Sequence, residues 1–245
     1  MKRSILWIIA AVVLIGGGIL AYLYFAGGSG EPSTELTTPT IPQEASTSTS
    51  ASGDPGEPST STVAGAAAAF VIDPTQSTAT FEIDEVLRGE PKRVVGTTSE
   101  VAGQIQVDTA DLSTAQLSQL VVNARTFETD SGNRDRAIRG PVILNSASDE
   151  FEFITFDVTA VEGLSGALTV GEPVTFSVTG DLLIRDTTNS VTFDVTATLV
   201  DEGTITGNAE STVLRSDYGI GIPSAPGVAD VSEEVLIRLD FIATS

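Results

Sequence analysis

The sequence contains neither cysteine nor histidine, and these two absences exclude several kinds of chemistry. Without cysteine there is no disulfide framework, no thiol nucleophile and no thiolate metal site. Without histidine the chain lacks the most frequent general base and the most frequent zinc ligand. Catalysis would have to depend on carboxylates, and the sequence offers no convergent set of them. We therefore predict that the protein is not an enzyme and that it holds neither a metal nor a catalytic cofactor.

Basic residues are also scarce. The 245 residues include 12 Lys and Arg against 33 Asp and Glu, which gives a formal net charge of -21. Binding to nucleic acid depends on lysine and arginine, which displace counterions from the phosphates. We therefore expect no nucleic-acid partner. The acidic residues lack the spacing of a calcium loop and are interpreted as solvated surface charge.

One long uncharged run lies near the N-terminus. From Ile5 to Ala26 roughly 22 residues pass without a charge, and roughly 20 are enough to span a bilayer as a helix. Lys2 and Arg3 precede this run and Glu31 follows it, so the positive-inside rule places the N-terminus in the cytoplasm. A cleaved signal peptide is the alternative, but the run is long and lacks a small-x-small cleavage site. We predict that residues 1–26 are a single-pass anchor in the cell membrane, with the remainder on the extracytoplasmic, periplasmic side.

The composition changes after the anchor. Residues 27–66 are rich in Ser, Thr, Pro, Gly and Glu, and "STSTSASGDPGEPSTST" lies at their centre. Such a segment has too little apolar surface to offset the entropy of ordering it. A flexible coil of about 40 residues spans on the order of 35 Å. We predict a flexible linker over 27–66 and a folded domain over 67–245.

Alternation of apolar and polar residues dominates this domain and predicts about eight β-strands. The apolar face of such a sheet must be buried, either in a sandwich or by closure into a barrel. An eight-stranded barrel can fill its interior with side chains or hold one small ligand. The predicted strands lie within 79–83, 101–107, 120–126, 154–160, 173–184, 191–199, 205–213 and 235–243.

Two other segments have recognisable patterns. The stretch Ser131–Leu144 contains the one predicted helix of the domain. Polar residues can cap the start of this helix, and Gly140–Pro141 ends it. It is either a lid across one barrel mouth or a plain surface connection. Ile222–Glu234 is rich in Pro, Gly and Ala and is predicted to be a long loop, which could cover a ligand entrance or simply connect two strands.

Five segments resemble, in order, the motifs of the YceI-like family, whose members are polyisoprenoid-binding domains of lipocalin-like fold. The resemblance covers Phe70–Ala243. The segments are FVIDPTQSTATFEI (Asp73, Pro74, Ser77), TFETDSGNRDRAIR (Thr129, Arg134, Asp135, Ile138, Arg139), FITFDVT (Ile154, Phe156), VTGDLLIRDTTNSVTFDV (Gly180, Leu182, Ile184, Arg185, Thr188) and RSDYGI (Arg215, Asp217, Gly219, Ile220).

The resemblance implies an all-β, eight-stranded antiparallel lipocalin-like barrel with one short helix. It also implies that the apolar interior holds an isoprenoid lipid, either a quinone or a polyprenyl lipid, and it allows a homodimer because some relatives dimerise. The alternative is that the same side chains are simply core. The candidate interior residues are Phe81, Ile83, Val122, Phe156, Val158, Phe176, Val178, Phe193, Val195, Ile237, Leu239 and Phe241.

Charged residues of the same motifs form a second candidate group. Arginine forks suit carboxylates and main-chain carbonyls, so these residues could brace a helix and a turn against the barrel rim. Alternatively, one or two of the arginines bind a polar head group at the mouth. The group consists of Arg134, Asp135, Arg139, Arg185, Arg215 and Asp217.

These observations lead to two hypotheses of function. The first is a membrane-tethered, extracytoplasmic protein that holds an isoprenoid lipid inside a barrel. The second is a structural or adhesive cell-surface β-domain whose core is filled and which binds no ligand. The presence or absence of a cavity distinguishes them.

Overall fold

The computed structural model describes residues 26–41, 67–223 and 225–245. These residues contain one curled antiparallel β-sheet and one α-helix, α1 (Gly132–Arg139). Short 3-10 helices lie at Ala124–Thr126, Asp149–Phe151 and Arg215–Tyr218. The strands are β1 (Ala68–Ile72), β2 (Thr78–Leu87), β3 (Glu90–Thr98), β4 (Val101–Ala102), β5 (Gln104–Asp108), β6 (Asp111–Leu117), β7 (Leu120–Asn123), β8 (Phe153–Glu162), β9 (Pro173–Ile184), β10 (Thr187–Asp201), β11 (Thr204–Leu214), β12 (Val228–Ala229) and β13 (Glu234–Thr244).

The predicted count of eight strands is wrong, since the described residues form a sheet of 13. Each predicted strand is present at least in part. Gly103 divides the one at 101–107 into β4 and β5, and the one at 120–126 ends at Asn123, where the 3-10 helix Ala124–Thr126 begins. The sequence pattern missed β1, β3, β6 and β12. Strand β3 shows why: it begins with the polar run EPKR, and only Val94, Gly96 and Thr98 in its second half alternate inward.

The sheet curls round on itself. Along its main path the strands follow the order β4-β7-β8-β9-β10-β11-β13-β1-β5-β6, and β2 also pairs with β13 and β3. Strand β4 follows β3 after two residues and pairs with β7. The chain therefore returns from one side of the curled sheet to the other, and the inward faces of its strands enclose a common interior.

The predicted alternation determines which side chains face this interior. In β9, Val178, Gly180, Leu182 and Ile184 are buried, while Asp181 between them is exposed. Buried apolar side chains from the other strands join them in two adjoining clusters. Burial of apolar surface at about 25 cal/mol per Å² is the main stabilisation of such a core.

Glycines make room for aromatic rings across neighbouring strands. Gly96 lies opposite Phe81 in the β2–β3 pair, and a Cβ at this glycine would overlap the ring. Gly207 lies opposite Phe241, where a Cβ would come within 2.7 Å of the ring. The rings occupy the space beside these glycines because no side chain is in the way. The size of the interior therefore depends on these glycines as well as on the large apolar residues.

The start of the predicted linker contacts the domain. The main-chain carbonyl of Gly27 accepts a hydrogen bond from Arg139 Nε at 2.9 Å. The N–H of Ser33 donates to Glu152 Oε1 at 2.9 Å, and the N–H of Ile41 donates to Gln104 Oε1 at 3.0 Å. Residues 26–41 therefore run along the outside of the sheet, starting beside α1.

Two predictions about the N-terminal part concern residues that are largely not described. Of the predicted anchor at 1–26 only residue 26 is described, and the linker residues 42–66 also lie outside the described ranges. The helices of the described ranges all lack the length and hydropathy that a bilayer span requires.

Candidate functional site

Four connections meet at one end of the curled sheet. Because the strands are antiparallel, the β2–β3, β7–β8, β9–β10 and β11–β13 connections all leave the sheet at the same end. Helix α1 belongs to the second of these connections, and we call this end the helix end.

A cavity of about 830 Å³ lies inside the helix end. Side chains from nine strands line it, including Phe81, Ile154 and Ile237. Its size is within the range of about 300–1,000 Å³ that is typical of small-molecule sites. Among its lining residues Arg88, Asn133, Ala225 and Pro226 are exposed. The opening therefore lies among the β2–β3 turn, the start of α1 and the segment before β12.

Both segments that the sequence suggested as covers contribute to the cavity wall. From α1 come Asn133, Arg134, Ala137 and Ile138. From the predicted loop after β11 come Ile222, Pro223, Ala225, Pro226, Val228 and Val231. These segments close part of the helix end with mainly apolar side chains.

A smaller cavity of about 130 Å³ lies deeper in the sheet. Its lining residues include Ile72, Leu199 and Ile205, which lie toward the opposite end. Leu120, Phe156, Phe193 and Leu239 line both cavities and therefore form the partition between them. The Phe156 and Phe193 rings meet edge to face, with centroids 5.0 Å apart.

All twelve candidate interior residues lie on the walls of these two cavities. Phe81, Ile83, Val122 and Ile237 line the larger cavity alone. Val158, Phe176, Val178, Val195 and Phe241 line the smaller cavity alone. Phe156, Phe193 and Leu239 line both. Whether they bind a ligand stays a prediction.

The six charged candidates all lie in connections at the helix end, and most have protein partners. Arg134 forms ion pairs with Glu85, at 3.0 Å, and with Asp130. Asp135 accepts hydrogen bonds from the N–H of Thr129, at 2.8 Å, and from its hydroxyl, at 2.6 Å. Arg134 and Asp135, although adjacent in sequence, therefore serve different partners. Asp135 fixes the chain that leads into α1.

Arg215 holds the turn after β11. Its guanidinium donates to the carbonyls of Ser232 and Ile220, each at 3.0 Å, and pairs with Glu233. The turn ends at Gly219, whose φ of 63° lies in the left-handed region that favours glycine. The main-chain carbonyl of Asp217 accepts a hydrogen bond from the Asn189 side chain at 3.0 Å.

The remaining two arginines are buried or half-buried beside α1. Arg139 is 6% exposed and binds the carbonyl of Gly27. Burial lowers its pKa. Arg185 donates from Nη1 to the carbonyl of Ile143 at 3.2 Å, but its buried Nε has no hydrogen-bond partner among the described residues. The bracing interpretation therefore describes Arg134, Arg139 and Arg215 well.

Basic residues outnumber acidic ones in the wall of the large cavity, which the sequence did not predict. Five basic side chains line it, against Glu85 as the one carboxylate. Lys92 pairs with Asp130, and Arg238 pairs with Asp240 at 3.0 Å. Arg88, at the exposed β2–β3 turn, makes no side-chain hydrogen bond or ion pair within the described part of the chain. The other basic side chains in this wall are already neutralised by carboxylates of the protein.

A buried ion pair, which the sequence also did not predict, supports the segment between α1 and β8. Glu152 is fully buried, and it accepts hydrogen bonds from Ser33 and from Asn123 Nδ2, the latter at 2.9 Å. Arg125 lies 3.4 Å from it. Burial acts to raise the pKa of Glu152, but these hydrogen bonds and the Arg125 charge outweigh that effect and lower it. The carboxylate therefore stays ionised inside the protein.

Acidic side chains do not gather into a metal site in the part of the chain that the structure describes. The chemistry of the helix end is that of an apolar cavity with a few fixed polar groups at its margin. Such a site can bind an elongated apolar molecule, because burial of apolar surface provides the affinity and the polar groups select the head.

Several solved structures have a similar fold. The chain is similar to BcnA from Burkholderia cenocepacia, with 20% identity, a TM-score of 0.55, and coverage of 71% of this chain and 99% of that one. It is similar to a polyisoprenoid-binding domain from Saccharophagus degradans implicated in plant cell wall breakdown, with 14% identity, a TM-score of 0.55, and coverage of 72% and 98%. These likenesses show the fold.

A third similar structure is the YceI protein of Campylobacter jejuni, with 16% identity, a TM-score of 0.50, and coverage of 61% of this chain and 84% of that one. No curated protein sequence matches the chain. The model of the YceI-like domain matches residues 70–243, which confirms the resemblance found in the sequence motifs. The chain therefore belongs to the YceI-like family.

Proposed function

We propose that the protein holds an isoprenoid lipid, either a quinone or a polyprenyl lipid, in the cavity at the helix end. The observation that carries this proposal is the cavity of about 830 Å³ with its largely apolar wall. A domain of purely structural or adhesive function would fill this space with side chains, because empty apolar volume lowers stability. The Saccharophagus degradans relative, a polyisoprenoid-binding domain of similar fold, provides a second line of support.

Affinity in this site would come from the hydrocarbon chain. Each buried methylene contributes about 0.8 kcal/mol, which is about fourfold in the dissociation constant. Lipids with longer isoprenoid tails should therefore bind more tightly until the cavity is full. The smaller cavity behind Phe156 and Phe193 offers additional space if these rings rotate.

We further propose that the protein is tethered to the cell membrane and works on its extracytoplasmic side. The support is the uncharged run ending at Ala26 and the basic residues before it. Gly27, the next residue, contacts Arg139 of α1, and α1 forms part of the cavity wall. If residues 1–26 span the bilayer, the cavity opening lies close to the membrane surface. A lipid could then enter the cavity from the bilayer over a short distance.

The test is native mass spectrometry of the full chain, released from its own membranes in mild detergent, followed by organic extraction. We expect a bound species whose homologues differ by the mass of one isoprene unit. An empty protein that also fails to take up added quinone or polyprenol would overturn the proposal in favour of the structural domain.

A further inference from the structure

We infer that the hydroxyl of Tyr218 is the hydrogen-bond donor that selects an uncharged, oxygen-bearing head group, such as a quinone carbonyl, in the large cavity. This inference rests on the proposed function, because it names the head group of the lipid in that same site. Tyr218 lines the cavity and is 2% exposed. It is also the one tyrosine of the chain outside residues 1–26.

By hydrogen-bond geometry the hydroxyl has no partner among the described residues. The Asn189 amide is close enough to lower the hydroxyl pKa, but it acts as a donor and its hydrogen bond goes to the Asp217 carbonyl, so the hydroxyl proton has no acceptor there. The ring packs in the buried apolar cluster that contains Phe156, Leu182 and Ile184. A buried polar group without a partner destabilises a protein, and a phenylalanine of almost the same shape would fill this position without that penalty. A ligand oxygen in the cavity would supply the missing acceptor.

The protein holds this donor in place. Tyr218 ends the 3-10 helix Arg215–Tyr218. Three features described above fix that turn: the hydrogen bonds of the Arg215 guanidinium, the left-handed backbone of Gly219, and the hydrogen bond from Asn189 to the carbonyl of Asp217. A donor that is already oriented loses little entropy when it binds its acceptor. The charged motif residues thus brace the turn and thereby position Tyr218.

The electrostatic surroundings favour a neutral acceptor. Burial raises the pKa of the Tyr218 hydroxyl, and the Asp217 carboxylate adds to this effect while Asn189 opposes it. The hydroxyl therefore stays protonated at neutral pH. Arg134, Arg215 and the other paired cations of the wall are neutralised by protein carboxylates. A diphosphate beside Tyr218 would have to displace these carboxylates, because the unpaired Arg88 lies at the exposed opening of the cavity. A carbonyl oxygen needs only the hydroxyl.

The experiment compares the full chain with Tyr218→Phe, both reconstituted in nanodiscs, using three probes. The probes are an isoprenoid quinone, the isoprenoid hydrocarbon squalene, which has no oxygen, and a polyprenyl diphosphate. We expect the substitution to weaken quinone binding about tenfold, as loss of one buried hydrogen bond does, and to leave squalene binding unchanged. We also expect the wild-type protein to prefer the quinone to the diphosphate.

A second measurement separates this role from a structural one. Without ligand, Tyr218→Phe should unfold at the same temperature as the wild type or higher, because it removes an unpaired buried hydroxyl. A lower unfolding temperature, or equal loss of quinone and squalene binding, would overturn the inference. Preference for the diphosphate would also overturn it but would leave lipid binding intact. Failure of all three probes to bind would overturn the proposed function itself.

Discussion

Replacement of Glu152 by glutamine tests how residues 26–41 are attached to the domain. Glu152 is fully buried and accepts hydrogen bonds from the N–H and the hydroxyl of Ser33 as well as from Asn123. Glutamine has the same shape, but it loses the charge that faces Arg125 and presents an NH₂ group to neighbours that are themselves donors. The substitution therefore changes the electrostatics of the site while keeping its volume.

The magnitude follows from the burial of both partners. The side chains of Arg125 and Glu152 are 8% and 1% exposed. Removing one member of a buried ion pair costs about 3–5 kcal/mol. Arg125 keeps its bonds to the carbonyl of Ser146, at 2.7 Å, and to Asp149, at 2.8 Å, and these contacts reduce the loss. We therefore expect Glu152→Gln to lower the free energy of unfolding by about 2–4 kcal/mol. The matched control is Asp149→Asn, which removes the other carboxylate partner of the same arginine. Its side chain is 82% exposed, and we expect a change of about 0–1 kcal/mol.

Urea unfolding of the full chain in mild detergent measures both variants. Hydrogen exchange at the Ser33 amide provides a local readout, because this N–H donates to Glu152. We expect faster exchange there in Glu152→Gln than in Asp149→Asn. Equal unfolding free energies for the two variants, within about 0.5 kcal/mol, would refute the reasoning.

The effect should also depend on pH in one direction. The pKa of Glu152 is lower in the folded protein than its usual value. A carboxylate of this kind stabilises the folded state above its unfolded pKa of about 4.3, and this stabilisation is lost as the pH falls through the lower, folded value. The difference between wild type and Glu152→Gln should thus be constant near neutral pH and shrink below about pH 4.

Two further substitutions test the cavity and the packing of the strands around it. Val122→Trp fills part of the large cavity, whose wall includes Val122. Lipid uptake, measured by extraction and mass spectrometry, should fall at least about tenfold, as loss of two buried methylenes predicts. The control Val200→Trp, at a position 49% exposed, should leave uptake unchanged, and equal uptake in both variants would count against this location of the lipid. Gly96→Ala places a methyl group against the Phe81 ring and should lower the free energy of unfolding by about 1–3 kcal/mol in urea titrations. The control Gly132→Ala, whose Cβ would meet no atom within 4 Å, should be neutral or slightly stabilising. Similar losses of stability in both variants would contradict the packing described for Gly96.

Local patterns in the sequence determined much of the fold. The alternation in β9, β10 and β13 identified long strands and the side chains that face the interior, since a strand places every second residue on the same face. Gly140 ended the predicted helix correctly, and α1 spans Gly132–Arg139. The ordered motifs identified the family. Each of these signals depends on neighbours a few residues apart, which is why it can be read along the chain.

Short or polar strands could not be predicted in this way. Strand β12 has only two residues, and the first half of β3 is charged. Both become strands because β2 lies beside them and provides main-chain hydrogen-bond partners. Pairing of this kind depends on residues far apart in sequence, so no local pattern reports it.

The candidate site, like the fold, was predicted only in part from local sequence patterns. The sequence identified twelve of the apolar residues in the cavity walls, because the alternation of apolar and polar residues along each strand places them on one face. Only the tertiary structure decided that this interior is partly empty, since cavity volume depends on how rings such as Phe81 lie over glycines in neighbouring strands. Likewise, Glu152 meets Ser33 across 119 residues, and the unpaired hydroxyl of Tyr218 follows from the packing around it. Burial and hydrogen-bond pairing are properties of the folded chain, and they determine which polar groups remain free to bind a ligand.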